Sequence, residues 1–165
     1  MQIRSAETAG FCFGVERAVS LAEQTARSCA SAVTLGPIIH NRHVVEHFEA
    51  MGLREIARAE DAQPGQTVVI RAHGIPVSEQ QTLAARGAKL VDATCPFVKK
   101  IHVIARQAEE AGRHLLIIGT PTHPEVTAIA SYSSDAHVFQ TAEALESWLT
   151  EAPGRCDLPF CMVSQ

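Results

Sequence analysis

The chain has 165 residues, 46% hydrophobic and 19% charged, with a formal net charge of −4 and a pI near 6.0. That balance suits a soluble globular protein, and the absence of any Lys/Arg-rich block excludes a nucleic-acid backbone or an anionic membrane as main partner. Leu115 to Ile118, the longest strongly apolar run, is too short to span a bilayer. The opening MQIRSAETAGFCFG lacks an apolar leader. A cytoplasmic location is expected, where five cysteines read as thiols or metal ligands rather than disulfides.

In chain order, amphipathic spacing predicts helices over Val15–Ala26, His43–Met51, Val77–Ala85, Phe97–Ala111 and Thr141–Thr150. Between them, short runs rich in Val, Ile and Leu predict strands at Ala32–Leu35, Thr67–Ala72, Lys89–Val91, His114–Ile118 and Phe160–Ser164. Gly52, Gly87 and Gly112 each stand just past a helix, where a left-handed cap is wanted. The alternation implies an α/β fold with parallel sheets and crossover helices.

The chain also repeats itself. One offset of 83 residues separates Cys12 from Cys95, Gly36 from Gly119 and His40 from His123. Glycines alone would match between any two α/β units, but matched cysteines and histidines point to a duplicated lobe. The expected division is a first lobe over 1–92 with Cys12, His40 and His73, and a second over 93–165 with Cys95, His123 and Glu125.

Cys12 and Cys95 each open a helix, where free N–H groups and the dipole favour a thiolate. Two such cysteines from equivalent lobes suit a cluster ligand pair, against the alternative of small buried core residues. Cys29 reads as packing, and the Cys156/Cys161 pair has no further ligand nearby in sequence. His40, His73 and His123 all follow strands, at the end where open α/β sheets bind ligands, and together suit an anion such as a diphosphate. Metal binding is the competing use. Glu125, two residues after His123, is either a proton donor or a first-turn helix glutamate. His43 and His47 lie on a solvated helix face, and His102, His114 and His137 carry no pattern. No dinucleotide, triphosphate or serine-hydrolase motif is present.

The motifs around Gly-Phe-Cys12-Phe-Gly-Val-Glu-Arg-Ala, Gly-Pro-Ile-Ile-His40-Asn, Arg-Ala-His73-Gly-Ile, Asp-Ala-Thr-Cys95-Pro-Phe-Val-Lys-Lys-Ile-His and His123-Pro-Glu125-Val resemble the 4-hydroxy-3-methylbut-2-enyl diphosphate reductases of the non-mevalonate isoprenoid pathway. The resemblance implies a three-lobed α/β fold, two lobes of which are present here. It implies a [4Fe–4S] cluster held by three cysteines, of which Cys12 and Cys95 match two, with the third beyond Gln165. It further implies diphosphate binding by His40, His73 and His123, proton relay through Glu125 with Gln165 beside it, and a ferredoxin- or flavodoxin-like electron donor. The products would be isopentenyl and dimethylallyl diphosphate. Thr122, before His123-Pro-Glu125, and Thr127-Ala128-Ile129-Ala130 after it depart from the usual glycines of that family. The sequence stopping within its last strand leads to the expectation of a truncated, inactive chain with exposed apolar surface. A cluster-free anion-binding module and a zinc hydrolase are the rival readings.

Overall fold

The computed structural model describes residues 4, 6, 7, 9–152 and 154–165, so part of the N-terminal stretch read for a leader lies outside it. Two parallel sheets carry the fold. Strands β1 (Val33–Leu35), β2 (Arg54–Ile56), β3 (Thr67–Ile70) and β4 (Lys89–Asp92) form the first, in the order β2-β1-β3-β4. Parallel neighbours require crossovers, and these are supplied by α2 (Arg42–Ala50) and α3 (Val77–Ala85), with α1 (Phe13–Ser28) preceding the sheet.

Alternation along the strands sorts the two cores, because successive side chains leave opposite faces. Val69 packs with Ala18, Ala22, Ile38 and Phe48 beneath α1 and α2. Val68 and Ile70 turn the other way, joining Val33, Leu35, Ile75 and Leu83 beneath α3.

The second sheet contains β5 (His114–Ile118), β6 (Ala136–Phe139) and β7 (Phe160–Ser164) in the order β6-β5-β7. Its helices are α4 (Pro96–Glu110), α5 (Pro124–Ala130) and α6 (Ala142–Thr150). Leu115 and Ile117 face a core made with Ala105, Val126 and Ile129. The order β2-β1-β3 recurs as β6-β5-β7, and α1 and α4 begin 83 residues apart, as do Cys12 and Cys95 before them. The internal repeat is therefore architectural.

Several expected boundaries shift. The expected strand from Thr67 to Ala72 ends at Ile70, because Ala72 N–H donates instead to Ile38 O at 3.1 Å. Two strands, β2 and β6, were not expected as elements, and the short helix α5 was foreseen only as a helix start at His123-Pro-Glu125. β2 is an edge strand of three residues, two of them exposed charged residues, so it carries no hydrophobic run to read. Gly52, Gly87 and Gly112 do close α2, α3 and α4 with φ of +86°, +67° and +63°. No helix among the described residues is long and apolar enough to cross a membrane.

Candidate functional site

The carboxyl ends of the strands gather the chemistry. β1 is followed by Gly36-Pro-Ile-Ile-His40, β3 by Arg71-Ala-His73, β4 by Ala93-Thr-Cys95, and β5 by Gly119-Thr-Pro-Thr-His123. Ala72 is the hub that fixes three of these loops. Its N–H donates to Ile38 O at 3.1 Å, and its carbonyl accepts from Cys95 N–H at 2.9 Å. The loops bearing His40, His73 and Cys95 are thus laced together just beyond the sheet, where buried backbone groups must find partners.

His40, His73 and His123 converge. Their ring centroids lie 4.7 Å (His40–His73), 5.4 Å (His73–His123) and 6.1 Å (His40–His123) apart. One ligand atom from each lies within 4.8 Å of the others, so the trio is also a conceivable metal group. His40 is exposed while the other two are half-buried. His73 Nδ1 is buried and has no hydrogen-bond partner among the described residues, which marks a polar position awaiting one. Burial, then the neighbouring His40, His123 and Arg71, lower the His73 pKa to about 4. The empty-handed ring is therefore neutral near pH 7, and an anion would reverse the electrostatic part of that shift.

His123 is the N-cap of α5, its Nδ1 accepting from Glu125 N–H at 3.2 Å. That bond leaves the proton on Nε2. Glu125 is half-buried, and burial raises its pKa against the opposing pull of His123. Gln165 lies at the end of β7. Its Oε1 accepts from Thr120 N–H at 3.2 Å, and the two flank a cavity of about 510 Å³ with Gly119 and Gln140. Gln165 thus supports the loop leading to His123.

Cys12 and Cys95 are the N-caps of α1 and α4, with free thiols. Cys12 is exposed and Cys95 half-buried. A Cβ placed on Gly14 would lie 2.5 Å from Cys95 Sγ, so the second thiol rests on the first turn of the helix that Cys12 opens. Arg17, one turn further, donates to Thr94 O at 3.2 Å and Asp92 O at 3.3 Å, holding the Cys95 loop against α1. Phe11, Phe13 and Phe97, next to the two cysteines in the chain, are exposed.

The remaining cysteines, with His43 and His47, separate from this region, whereas His102 of α4 lies against Gly74, the residue after His73. Cys29 caps the far end of α1, Cys161 packs into the second core, and Cys156 is exposed in a short turn. Neither Cys156 nor Cys161 joins a metal-type group among the described residues. His43 is exposed and His47 meets Glu23 at 3.3 Å on the surface, as a solvated face requires. Sequence reading passed over Arg17 and Arg71. Arg71 lies across Gly36, whose φ is +70° and where a Cβ would stand 2.6 Å from the guanidinium. The signal was a glycine directly after a strand, opposite an arginine directly after its neighbour.

Comparison with known proteins matches the LytB protein family over residues 3–165. A 4-hydroxy-3-methylbut-2-enyl diphosphate reductase of Nitratidesulfovibrio vulgaris (strain Miyazaki F) is 42% identical across the whole chain, which covers 58% of that relative. The same-named protein of Clostridioides difficile (strain 630) is 34% identical, again across the whole chain and 58% of its own length. A solved structure of (E)-4-hydroxy-3-methyl-but-2-enyl diphosphate reductase, described as the terminal enzyme of the non-mevalonate pathway, superposes with a TM-score of 0.78 at 37% identity, over 97% of this chain and 56% of its own. A Plasmodium falciparum reductase structure superposes at 0.86 with 24% identity, over 96% of this chain and 49% of its own, and shares the fold. The chain spans a little over half the length of the curated relatives it matches.

Proposed function

The chain belongs to the LytB protein family, and from that premise we propose that it forms two lobes, 1–92 and 93–165, of a reductase acting on 4-hydroxy-3-methylbut-2-enyl diphosphate. The reaction is assigned to a protein of the relatives' full length rather than to these residues alone. The observation that carries the reading is the convergence of His40, His73 and His123 at one end of the sheets, with a buried imidazole nitrogen that has no partner among the described residues.

In this reading the three imidazoles bind the diphosphate, and Arg71 adds positive potential behind His73. Anchoring the diphosphate orients the allylic end through remote binding energy. Glu125, raised in pKa by burial, carries a proton toward the departing hydroxyl, which leaves as water. Gln165 holds the Gly119–Thr120 turn from which that loop springs.

Cys12 and Cys95 fit a [4Fe–4S] cluster as two of its three thiolate ligands: both are free, both cap helices, and one rests against the helix of the other. Such a cluster would supply electrons singly, which no side chain can, from a ferredoxin- or flavodoxin-like donor in the cytoplasm. Two electrons and two protons, one leaving in the water and one added to the allylic carbon, balance the conversion to isopentenyl or dimethylallyl diphosphate.

The test takes this chain in two steps. Calorimetric titration with inorganic pyrophosphate should show binding that His40→Ala and His73→Ala abolish. Anaerobic addition of iron and sulfide should give at best a labile, substoichiometric cluster absorption that Cys12→Ser and Cys95→Ser remove, and a stable one in a protein of the relatives' full length. In the full-length protein, pyrophosphate binding with no iron uptake would favour the cluster-free anion module, and absence of both would overturn the reading.

A further inference from the structure

The second sheet carries another cluster, at the end opposite His123. β5 and β6 pair in parallel with Leu115 beside Ala136 and Leu116 beside His137. Leu115 and Ile117 face the α4–α5 core, so the period of two sends His114, and across from it Asp135 and His137, to the other face. There Trp148 of α6 lies 4.6 Å from the His137 ring, and Phe160 of β7 lies 5.8 Å from the His114 ring.

His114 Nδ1 meets one carboxylate oxygen of Asp135, and His137 Nε2 meets the other at 2.7 Å. One ligand atom from each residue lies within 4.8 Å of the other two. Tetrahedral ligands about 2.0–2.1 Å from a zinc ion stand about 3.3 Å apart, so an ion would replace the direct histidine–aspartate contacts and draw together ligand atoms that now lie within 4.8 Å of one another. The side chains retain 26%, 47% and 32% of their exposure, which leaves solvent a path to an ion.

Beside them is a cavity of about 180 Å³ bordered by Glu109, Arg113, His114 and Asp135. Glu109 is held by Ser133 and Ser134, through bonds of 2.7 to 3.0 Å, and stands at the rim rather than in the set. The cavity can admit water as a fourth ligand. Two imidazoles with one carboxylate are the donors that zinc, nickel and copper prefer over magnesium or calcium.

We propose that His114, Asp135 and His137 bind one divalent transition-metal ion of the zinc class, which ties the starts of β5 and β6 together. The site is separate from the histidines and cysteines described above and does not depend on the function assigned to them. Its effect is on the stability of the second lobe, because an ion that binds the folded chain and not the unfolded one stabilises it.

Zinc chloride and equilibrium dialysis test this. The wild-type chain should bind one more equivalent of zinc than either His137→Gln or Asp135→Asn, and its thermal midpoint should rise with zinc where theirs do not. In a Cys12→Ser/Cys95→Ser/His40→Ala background, which breaks up the cysteine pair and the histidine trio, one equivalent should remain and be lost on adding His137→Gln. Far-UV circular dichroism without metal establishes that each variant is folded. Equal zinc uptake by wild type and His137→Gln, or none in the triple-substituted background despite a folded spectrum, would overturn the proposal.

Discussion

The Sγ of Cys95 lies 2.5 Å from where a Cβ on Gly14 would stand. Position 14 is buried inside α1, two residues after Cys12, and a helix interior ordinarily gains about 1 kcal/mol from glycine to alanine. Here the methyl group has no room. Gly14→Ala should lower stability by about 1–3 kcal/mol, the usual cost of overpacking, read as a lower urea midpoint. Cys95→Ala should relieve most of that loss in the double variant. Stabilisation by Gly14→Ala alone would show that the two helices do not meet in this way.

Arg17 performs the complementary task from one turn further along α1. Its two hydrogen bonds to Asp92 O and Thr94 O fix the segment that delivers Cys95. Arg17→Ala should cost about 1–3 kcal/mol, the range for bonds involving a charged donor. Iron uptake in anaerobic reconstitution should fall with it, while Arg17→Lys should recover part of both. Unchanged urea midpoints would show these bonds to be idle.

Stability should also depend on pH through two imidazoles. Burial lowers the pKa of both His73 and His102 from 6.5 to about 4. In the unfolded chain each takes up a proton near its ordinary value, while in the folded chain each stays neutral until about pH 4. Their contribution is present above pH 6.5 and is lost progressively as pH falls toward 4, because the unfolded state then binds more protons. Urea midpoints measured between pH 7.5 and 4 should fall along this window. His102→Phe, which keeps an aromatic ring against Tyr132, should flatten the dependence. Pyrophosphate should move the His73 titration upward in NMR spectra, since an adjacent anion favours the imidazolium.

Gly74 links those two histidines. Its φ is +75°, and a Cβ there would stand 2.6 Å from His102 Cε1. Gly74→Ala meets both a left-handed backbone, worth about 1–2 kcal/mol, and that ring. Stability should drop measurably in urea, and pyrophosphate binding should weaken because His73 is the preceding residue. Normal pyrophosphate affinity in a destabilised Gly74→Ala chain would separate the turn from the binding of the anion.

The edges of the sheets show why part of the fold escaped the sequence. β5, His-Leu-Leu-Ile-Ile, is central and has three buried residues, so its hydrophobic run declares it. β2 and β6 are edges, and Arg-Glu-Ile and Ala-His-Val-Phe carry no comparable run. Missing β6 also hid His137, since Asp135 and His137 acquire meaning only when β6 lies beside His114.

Local chemistry determined much by itself. Helical spacing, the glycines after helices, the cysteines that open α1 and α4, and the histidines after strands are all short-range signals of burial and capping. The 83-residue offset added the duplication. Tertiary structure alone decided that loops from β1, β3, β4 and β5 meet. It decided that Ala72 laces three of them, that burial keeps His73 neutral, and that Gly14 leaves just enough space for Cys95. The physical reason is that parallel pairing joins segments tens of residues apart, so which side chains share a site depends on register and strand order. Neither is encoded in the spacing around any one residue.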